Sequence, residues 1–153
     1  MLYRAHSPER LPADSDILIN EFLHVDRRPR NTHYPLHLIM GLWFHQKFGR
    51  NFRGRAYFCT GSIMQARDFG SYVIELEPVG DYELCFSRQV DDLYLLMQQY
   101  GGNTSCIDNL DSIFDTLESF NFQYFKNGGL EEAAASDCEV MLYAKQYRFK
   151  SIQ

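Results

Sequence analysis

The chain has 153 residues, of which 45% are hydrophobic and 23% charged, and its formal net charge is −5. This size and composition predict one globular domain, and the four scattered cysteines have neither the spacing of a zinc site nor the density of a disulfide scaffold. No apolar run reaches the length of a membrane span and the start lacks the order of a signal peptide, so we expect a cytoplasmic protein without membrane contact.

Positive charge is concentrated in the first half of the chain. Residues 1–70 hold ten Lys and Arg against six Asp and Glu, while residues 71–153 hold five against fourteen. Six of the nine arginines of the basic half form two groups, Arg27, Arg28 and Arg30 and then Arg50, Arg53 and Arg55. The planar fork of arginine suits a phosphate-bearing ligand, and a solvated basic face is the equal alternative. The acidity of the whole chain argues against a general duplex-binding protein.

The first predicted element is a strand over residues 1–6, which Pro8 ends because proline cannot continue a hydrogen-bond ladder. A short helix is predicted over 17–23. The next helix has its N-cap at Thr32 and ends near Phe48, since apolar residues repeat at helical spacing: Leu36, Ile39, Met40, Trp43 and Phe44.

The remaining pattern mixes strands and helices without strict βαβ alternation. In chain order it predicts a strand over 54–60, a short helix over 62–69, and strands over 72–77 and 82–86. A helix that ends at Gly101-Gly102 follows, then a helix over 110–117 capped by Asp108, a short alanine-rich helix after Gly129, and strands over 139–144 and 146–152. This arrangement predicts an α+β fold.

Three distant stretches carry polar groups that a plain strand would not need. Arg4 interrupts the first strand, Thr60 and Ser62 end the strand in the middle, and Glu139 begins a late strand two residues after Asp137. An arginine can hold a diphosphate, hydroxyls can orient a ribose, and a carboxylate can stabilise a sugar cation. Together these residue types suit the breaking of a bond between a sugar and its leaving group.

This order of arginine, hydroxyls and glutamate resembles the arginine–serine–glutamate class of mono-ADP-ribosyltransferases. Tyr3-Arg4-Ala5 is similar to the first motif of that class. Cys59-Thr60-Gly61-Ser62 keeps Thr-x-Ser of the usual Ser-Thr-Ser, and Asp137-x-Glu139 stands where the class has Glu-x-Glu or Gln-x-Glu. Residues 140–151 resemble the closing hairpin of that fold.

The resemblance implies that residues 1–153 form one ADP-ribosyltransferase-like α+β domain, in which two small sheets and flanking helices surround a cleft. It implies NAD as the cofactor, held by Arg4 with Thr60 and Ser62, and no metal. Glu139 would carry catalysis, and Asp137 would help to select the acceptor, which is a host protein or a nucleic acid.

Two further residues are candidates for the same NAD site. His6 lies two residues after Arg4, so it faces the same side of the strand. Arg28 is a candidate for phosphate binding, together with its neighbours Arg27 and Arg30.

A second resemblance, to an uncharacterised small protein family common in phage genomes, comes from the middle of the chain. It rests on Arg27-Arg28-Pro29-Arg30-Asn31-Thr32, His37, Phe48-Gly49, Arg53, Phe58-Cys59-Thr60-Gly61 and Phe69-Gly70. It implies a phage or prophage protein that acts in the cytoplasm of a bacterial host.

Each candidate residue also has a structural alternative. Arg4 could pair with a carboxylate at a sheet edge, and Ser62 could cap a helix. The spacing of His33, His37 and His45 can serve zinc, but surface histidines of a helix are the preferred interpretation. The competing glutamates are Glu75, Glu77 and Glu83.

Three other functions compete with ADP-ribosyl transfer. They are a non-catalytic binding or inhibitor protein on the same fold, an NAD glycohydrolase, and a virion component. The enzyme hypothesis requires that Arg4, Ser62 and Glu139 converge on one cleft.

Overall fold

The computed structural model of the chain describes residues 1–100 and 106–152. Its strands are β1 (Leu2–Ala5), β2 (Ile17–Ile19), β3 (Tyr57–Cys59), β4 (Val73–Phe86), β5 (Gln123–Lys126) and β6 (Val140–Ile152). Its helices are α1 (Tyr34–Phe48), α2 (Phe52–Arg55), α3 (Ile63–Asp68), α4 (Leu95–Tyr100), α5 (Leu110–Ser119) and α6 (Leu130–Ala135). Across these described ranges, no helix has both the length and the apolar character needed to cross a membrane.

Within the described residues the strands form one six-stranded antiparallel sheet, built on β4 and β6. These two long strands pair from Val73 opposite Ile152 to Phe86 opposite Val140. The first part of β4 also pairs with β1 and its last part with β5, while β2 and β3 both pair with β6. The sheet and its helices confirm the mixed α+β class.

The sequence predicts two small sheets, whereas the described strands form one, because β4 and β6 are each continuous. The predicted strands over 72–77 and 82–86 join through a β-bulge around Gly80, whose φ is 77°. Pro78 lies beside this bulge, where the hydrogen-bond ladder is already irregular and a missing N–H is tolerated. The two closing strands predicted at 139–144 and 146–152 likewise join into β6.

The sheet has a hydrophobic cluster on each face. Alternate residues of β6 point to opposite clusters, with Met141 in one and Val140 and Leu142 in the other. The second cluster contains Tyr57 and Tyr147, whose rings stack with centroids 4.6 Å apart. The buried Tyr147 hydroxyl donates to the Leu142 carbonyl at 2.8 Å and accepts from the Ala144 N–H at 3.0 Å, so its polar end is satisfied.

Helix α1 confirms the helix predicted from apolar spacing and ends at Gly49, whose φ is 78°. Its start differs from the prediction. The N-cap is His33 rather than Thr32, and Pro35 occupies the first turn, where its missing N–H costs no helical hydrogen bond.

Three other local predictions are wrong or incomplete. Residues 17–19 form β2 rather than a helix, because pairing with β6 satisfies their backbone. Residues 52–55 form α2 before β3 begins, since the Asn51 side chain caps that turn by accepting from the Gly54 N–H at 2.9 Å. Strand β5 has no counterpart among the predictions, and the helix end predicted at Gly101-Gly102 lies outside the described residues.

Helices α3, α5 and α6 lie where the sequence predicts them. Asn109, rather than Asp108, immediately precedes α5, and Asp108 lies in a 3₁₀ turn over Ile107–Asn109. Ser62 is the N-cap of α3, and its side chain accepts from the Gln65 N–H. This cap fixes the start of α3 directly after β3.

Gly61 is required by the close approach of two chain segments at this connection. A Cβ atom at position 61 would lie 1.8 Å from the carbonyl oxygen of Ala134 in α6. The Gly61→Ala variant is expected to lose about 2–3 kcal/mol of unfolding free energy, because backbone must shift to relieve the overlap. Urea denaturation of the purified variant measures this loss.

Gly128→Ala is the matched control, because a Cβ there comes no closer than 4.0 Å to its nearest neighbour, the Lys126 carbonyl oxygen. Its stability should stay within about 0.5 kcal/mol of the wild type. Equal stabilities of the two variants would contradict the close approach.

Candidate functional site

The fold brings the three stretches singled out in the sequence side by side, with β3 in the middle. On one side, Tyr3 and Thr60 exchange two backbone hydrogen bonds of 2.8 and 2.9 Å. On the other side, Cys59 pairs with Val140, the residue that follows Glu139. Segments separated by more than 50 residues in sequence therefore meet at one end of the sheet.

Arg4 on β1 points toward β3. Its Nη1 donates to the Phe58 carbonyl at 3.0 Å, and its guanidinium lies 4.7 Å from the centre of the Tyr57 ring. Among the described residues Arg4 forms no ion pair with a carboxylate. The structural alternative for Arg4, an ion pair with a carboxylate at a sheet edge, is therefore not found among the described residues.

Arg27 lies between two aromatic rings. Its guanidinium is 4.2 Å from the centre of Phe22 and 4.1 Å from that of Phe58, and its Nη2 donates to the Ala56 carbonyl. Burial, together with the positive charges of Arg4 and Arg53, lowers the pKa of Arg27 to about 9. Arg27 is therefore close enough to both arginines to feel their charge.

Arg53 on α2 is the most deeply buried of the three, with 3% of the residue exposed. Its guanidinium lies 4.7 Å from the centre of the Phe58 ring, and its Nη1 lies 3.6 Å from Oε1 of Glu139. Its Nη2 donates to Thr32 Oγ1 at a long 3.4 Å. Burial lowers the pKa of Arg53, while Glu139 and Asp92 raise it.

We call Arg4, Arg27 and Arg53 the arginine cluster, and Phe58 is its centre. The Nε atom of each of these arginines is buried without a hydrogen-bond partner in the described structure. His6 Nε2 and His37 Nδ1 are buried and unpartnered as well. Buried donors without acceptors are rare and unfavourable, so the cluster has the chemistry of an anion site.

Glu139 is the carboxylate that faces the cluster. It stands immediately before β6, and its N–H donates to the Asp91 carbonyl at 3.0 Å. Burial, with a smaller contribution from nearby Asp92, raises the pKa of Glu139 to about 7, although Arg53, Arg27 and a hydrogen bond from the Leu93 backbone oppose the shift. Its carboxyl group therefore changes charge near neutral pH.

His37 contradicts the expectation of a surface histidine, because only 2% of the residue is exposed. Its burial, then the charges of Arg53 and Arg27, lower its pKa to about 4, so the ring is neutral at pH 7. His33 and His45 are exposed as expected. Across the described part of the chain, no group of three or more His, Cys, Asp or Glu side chains is placed to hold a metal ion.

Thr60 and Ser62 are engaged in local structure. The Thr60 hydroxyl donates to Gln65 Oε1 and accepts from the Ser62 N–H at 3.2 Å. Ser62 Oγ accepts from the Gln65 N–H at 3.3 Å, which is the helix-cap role considered as its alternative. The two hydroxyls thus fix the end of β3 beside the arginine cluster.

His6 lies on the Arg4 side of the cluster, with its ring centre 6.3 Å from that of Tyr57. Burial and then Arg4 lower its pKa. Asp137 is exposed, with a φ of 54°, at the turn before Glu139. Arg28 is exposed over the Tyr34 ring at 5.4 Å and lies outside the cluster.

Two of the three competing glutamates, Glu77 and Glu83, have other partners. Glu77 pairs with Arg148 at 3.8 Å, and Glu83 pairs with Arg50. Arg53 and Phe58, which lie at the middle of the candidate site, belong to the basic run and to the second resemblance in the sequence, but they were not predicted as NAD-site residues. In the sequence, Arg53 is one arginine of a basic run and Phe58 is one aromatic residue of a predicted strand, and neither feature by itself indicates a site.

Comparisons of the chain with family models, with curated proteins and with solved structures find no match.

The raised pKa of Glu139 predicts a specific effect of pH on stability. The folded state favours the protonated carboxyl, so this residue should reduce stability progressively as pH rises from about 4.5, its ordinary pKa, through about 7. Relative to Glu139→Gln, the wild type should therefore lose unfolding free energy over this range. Urea denaturation of both proteins at several pH values measures the difference.

The comparison with Glu139→Gln removes the contribution of His37, which is common to both proteins. His37 has a lowered pKa, so its own effect has the opposite sign: stability falls as pH drops below about 6.5 toward 4. Parallel stability curves for the two proteins would show that Glu139 does not titrate in this window.

Proposed function

We propose that this protein binds NAD against the arginine cluster and transfers its ADP-ribose to a host macromolecule, on an ADP-ribosyltransferase-like fold. The observation that carries the proposal is the set of three arginines whose Nε atoms are buried without a partner, of which Arg53 lies 3.6 Å from the carboxylate of Glu139. If the chain is phage-encoded, the reaction takes place in the cytoplasm of the bacterial host.

The positive charge of the cluster suits a diphosphate. Arg4, Arg27 and Arg53 bring three guanidinium groups, and Glu139 is in ion-pair contact with one of them, Arg53. Bidentate arginine contacts suit the oxygens of the diphosphate in NAD. The donors without partners would be satisfied by the same oxygens.

We assign to Glu139 the role of the carboxylate in NAD cleavage, because it contacts Arg53 and has a pKa of about 7. NAD supplies a ribosyl–nicotinamide bond whose cleavage develops positive charge on the sugar. A carboxylate close to that sugar accepts a ribose hydroxyl and stabilises the charge. The long contact of 3.6 Å to Arg53 leaves Glu139 free to turn toward a ligand when an anion engages Arg53.

The other predicted residues support the site in different ways. Arg4 holds the Phe58 carbonyl and so fixes the ring on which Arg27 and Arg53 lie. Thr60 and Ser62 order the strand end through Gln65 rather than through a ligand. Asp137, exposed at the turn before Glu139, is accessible to an acceptor, and His6 borders the site at Arg4.

A non-catalytic binding protein on the same fold is the second candidate. It is favoured by the use of both hydroxyls in local structure and by the ion pair between Glu139 and Arg53. Both candidates require a ligand at the cluster, and they differ in whether the ligand is consumed.

Replacement of Arg27 tests the binding step that both candidates share. Arg27→Gln should weaken NAD binding on the order of tenfold to a hundredfold, because a hydrogen-bonded charge contact contributes roughly 1.5–3 kcal/mol. Isothermal titration calorimetry with NAD measures the change. Arg28→Gln is the matched control, since Arg28 is the neighbouring arginine but is exposed outside the cluster. Equal losses in both variants would argue against the cluster.

Incubation with NAD labelled in its ADP-ribose part, together with a bacterial extract, tests the chemical step. Label should pass to a macromolecule, and Glu139→Gln should reduce the rate at least about a hundredfold, as expected for loss of a group that stabilises transition-state charge. Glu77→Gln, an exposed glutamate paired with Arg148, should leave the rate unchanged.

The products distinguish the competing functions. Free ADP-ribose without labelled macromolecule would assign the protein as a glycohydrolase. Binding of NAD without turnover, by a folded protein, would leave the non-catalytic candidate.

A further inference from the structure

A groove separate from the arginine cluster runs past Arg50 and Tyr143. These two residues line two surface cavities of about 570 and 260 Å³, which therefore adjoin. The larger cavity extends over the bulge of β4, and the smaller one reaches His45 near the end of α1. No member of the arginine cluster lines either cavity. We call this region the Arg50 groove.

The Arg50 guanidinium forms a fixed flat surface in the groove. It stacks 3.8 Å from the centre of the Tyr143 ring, and its Nε and Nη2 donate to Oε2 of Glu83. The Tyr124 hydroxyl donates to the other Glu83 oxygen at 2.6 Å and holds that carboxylate in place. One face of the guanidinium and one edge are thus occupied, while a third of the side chain remains exposed (33%). Its outer face can stack with a planar group.

Positive charge flanks this surface. Lys126 and Lys145 line the larger cavity, are exposed, and form no ion pair among the described residues. Two carboxylates that line the groove are paired with arginines, Glu83 with Arg50 and Asp26 with Arg55, whereas Asp81 accepts from the Asn127 amide and keeps its charge. The two lysines outnumber this one carboxylate, so the groove offers positive charge beside a stacking surface.

We propose that the Arg50 groove binds single-stranded nucleic acid, with a base stacked on the Arg50 guanidinium and backbone phosphates at Lys126 and Lys145. Unpaired bases stack on guanidinium planes and aromatic rings, and lysines along a groove follow the phosphates. A duplex keeps its bases stacked inside and cannot use such a surface. An acidic peptide would use the lysines but not the platform.

The groove and the cluster are joined by one short segment, since Arg50 and Arg53 are three residues apart and flank the start of α2. Nucleic acid in the groove would thus be the acceptor of ADP-ribose, and this last step rests on the proposed function. The binding itself does not, and it is measured without NAD.

Fluorescence anisotropy of a labelled single-stranded oligonucleotide, as DNA and as RNA, tests the proposal with the full chain. Binding should weaken with salt, and Lys145→Glu should weaken it on the order of tenfold and lower the salt slope by about one. Lys150→Glu is the matched control: it makes the same charge change at another exposed lysine of β6, outside the groove, and should have little effect. Similar losses in both variants would overturn the assignment.

The stacking surface is tested by the preference for single strands. Wild-type protein should bind the single strand more tightly than the matching duplex, and Arg50→Lys, which keeps the charge but removes the plane, should abolish this preference. Equal binding of the duplex by the wild type, or equal competition by polyglutamate, would reject a nucleic-acid site. Groove binding without any transfer from NAD would instead reject only the proposed function.

Discussion

The pairing of β4 with β6 is the interaction on which the other elements depend. Every other described strand pairs with one of these two, and the hydrophobic clusters lie on the two faces that they create. The pairing also fixes the position of Val140 opposite Phe86, at the end where β3 joins the sheet. Because β3 in turn contacts β1 through Tyr3 and Thr60, the register of one long ladder determines which residues meet at the candidate site.

The arginine cluster is a costly feature of this framework, because Arg53 is buried and Arg4 and Arg27 are partly buried. Burying charge without full pairing is costly, and each of these guanidinium groups has an unsatisfied Nε. Aromatic faces and backbone carbonyls compensate for part of that cost, and the ion pair of Arg53 with Glu139 compensates for another part. Under the proposed function, an anionic ligand would stabilise the folded state by binding to this arrangement.

The segment from Arg50 to Arg55 connects the two regions of functional interest. Asn51 caps α2, and this single turn directs Arg53 inward to Glu139 while Arg50 remains at the surface on Tyr143. Arg50 and Arg53, which belong to one basic run in the sequence, thus lie in two different environments.

The sequence by itself determined the α+β class, the long helix α1, the cap at Ser62 and the three stretches that carry Arg4, Thr60 and Glu139. These depend on local spacing, capping chemistry and residues that are unusual in strands, all of which are visible without a fold. Only the tertiary structure decided that residues 17–19 are a strand, that β4 and β6 are continuous, and that Arg53 and Phe58 rather than Arg28 lie at the centre of the site. The physical reason is that pairing partners and burial are set by contacts between residues far apart in the chain, and such contacts leave no local pattern.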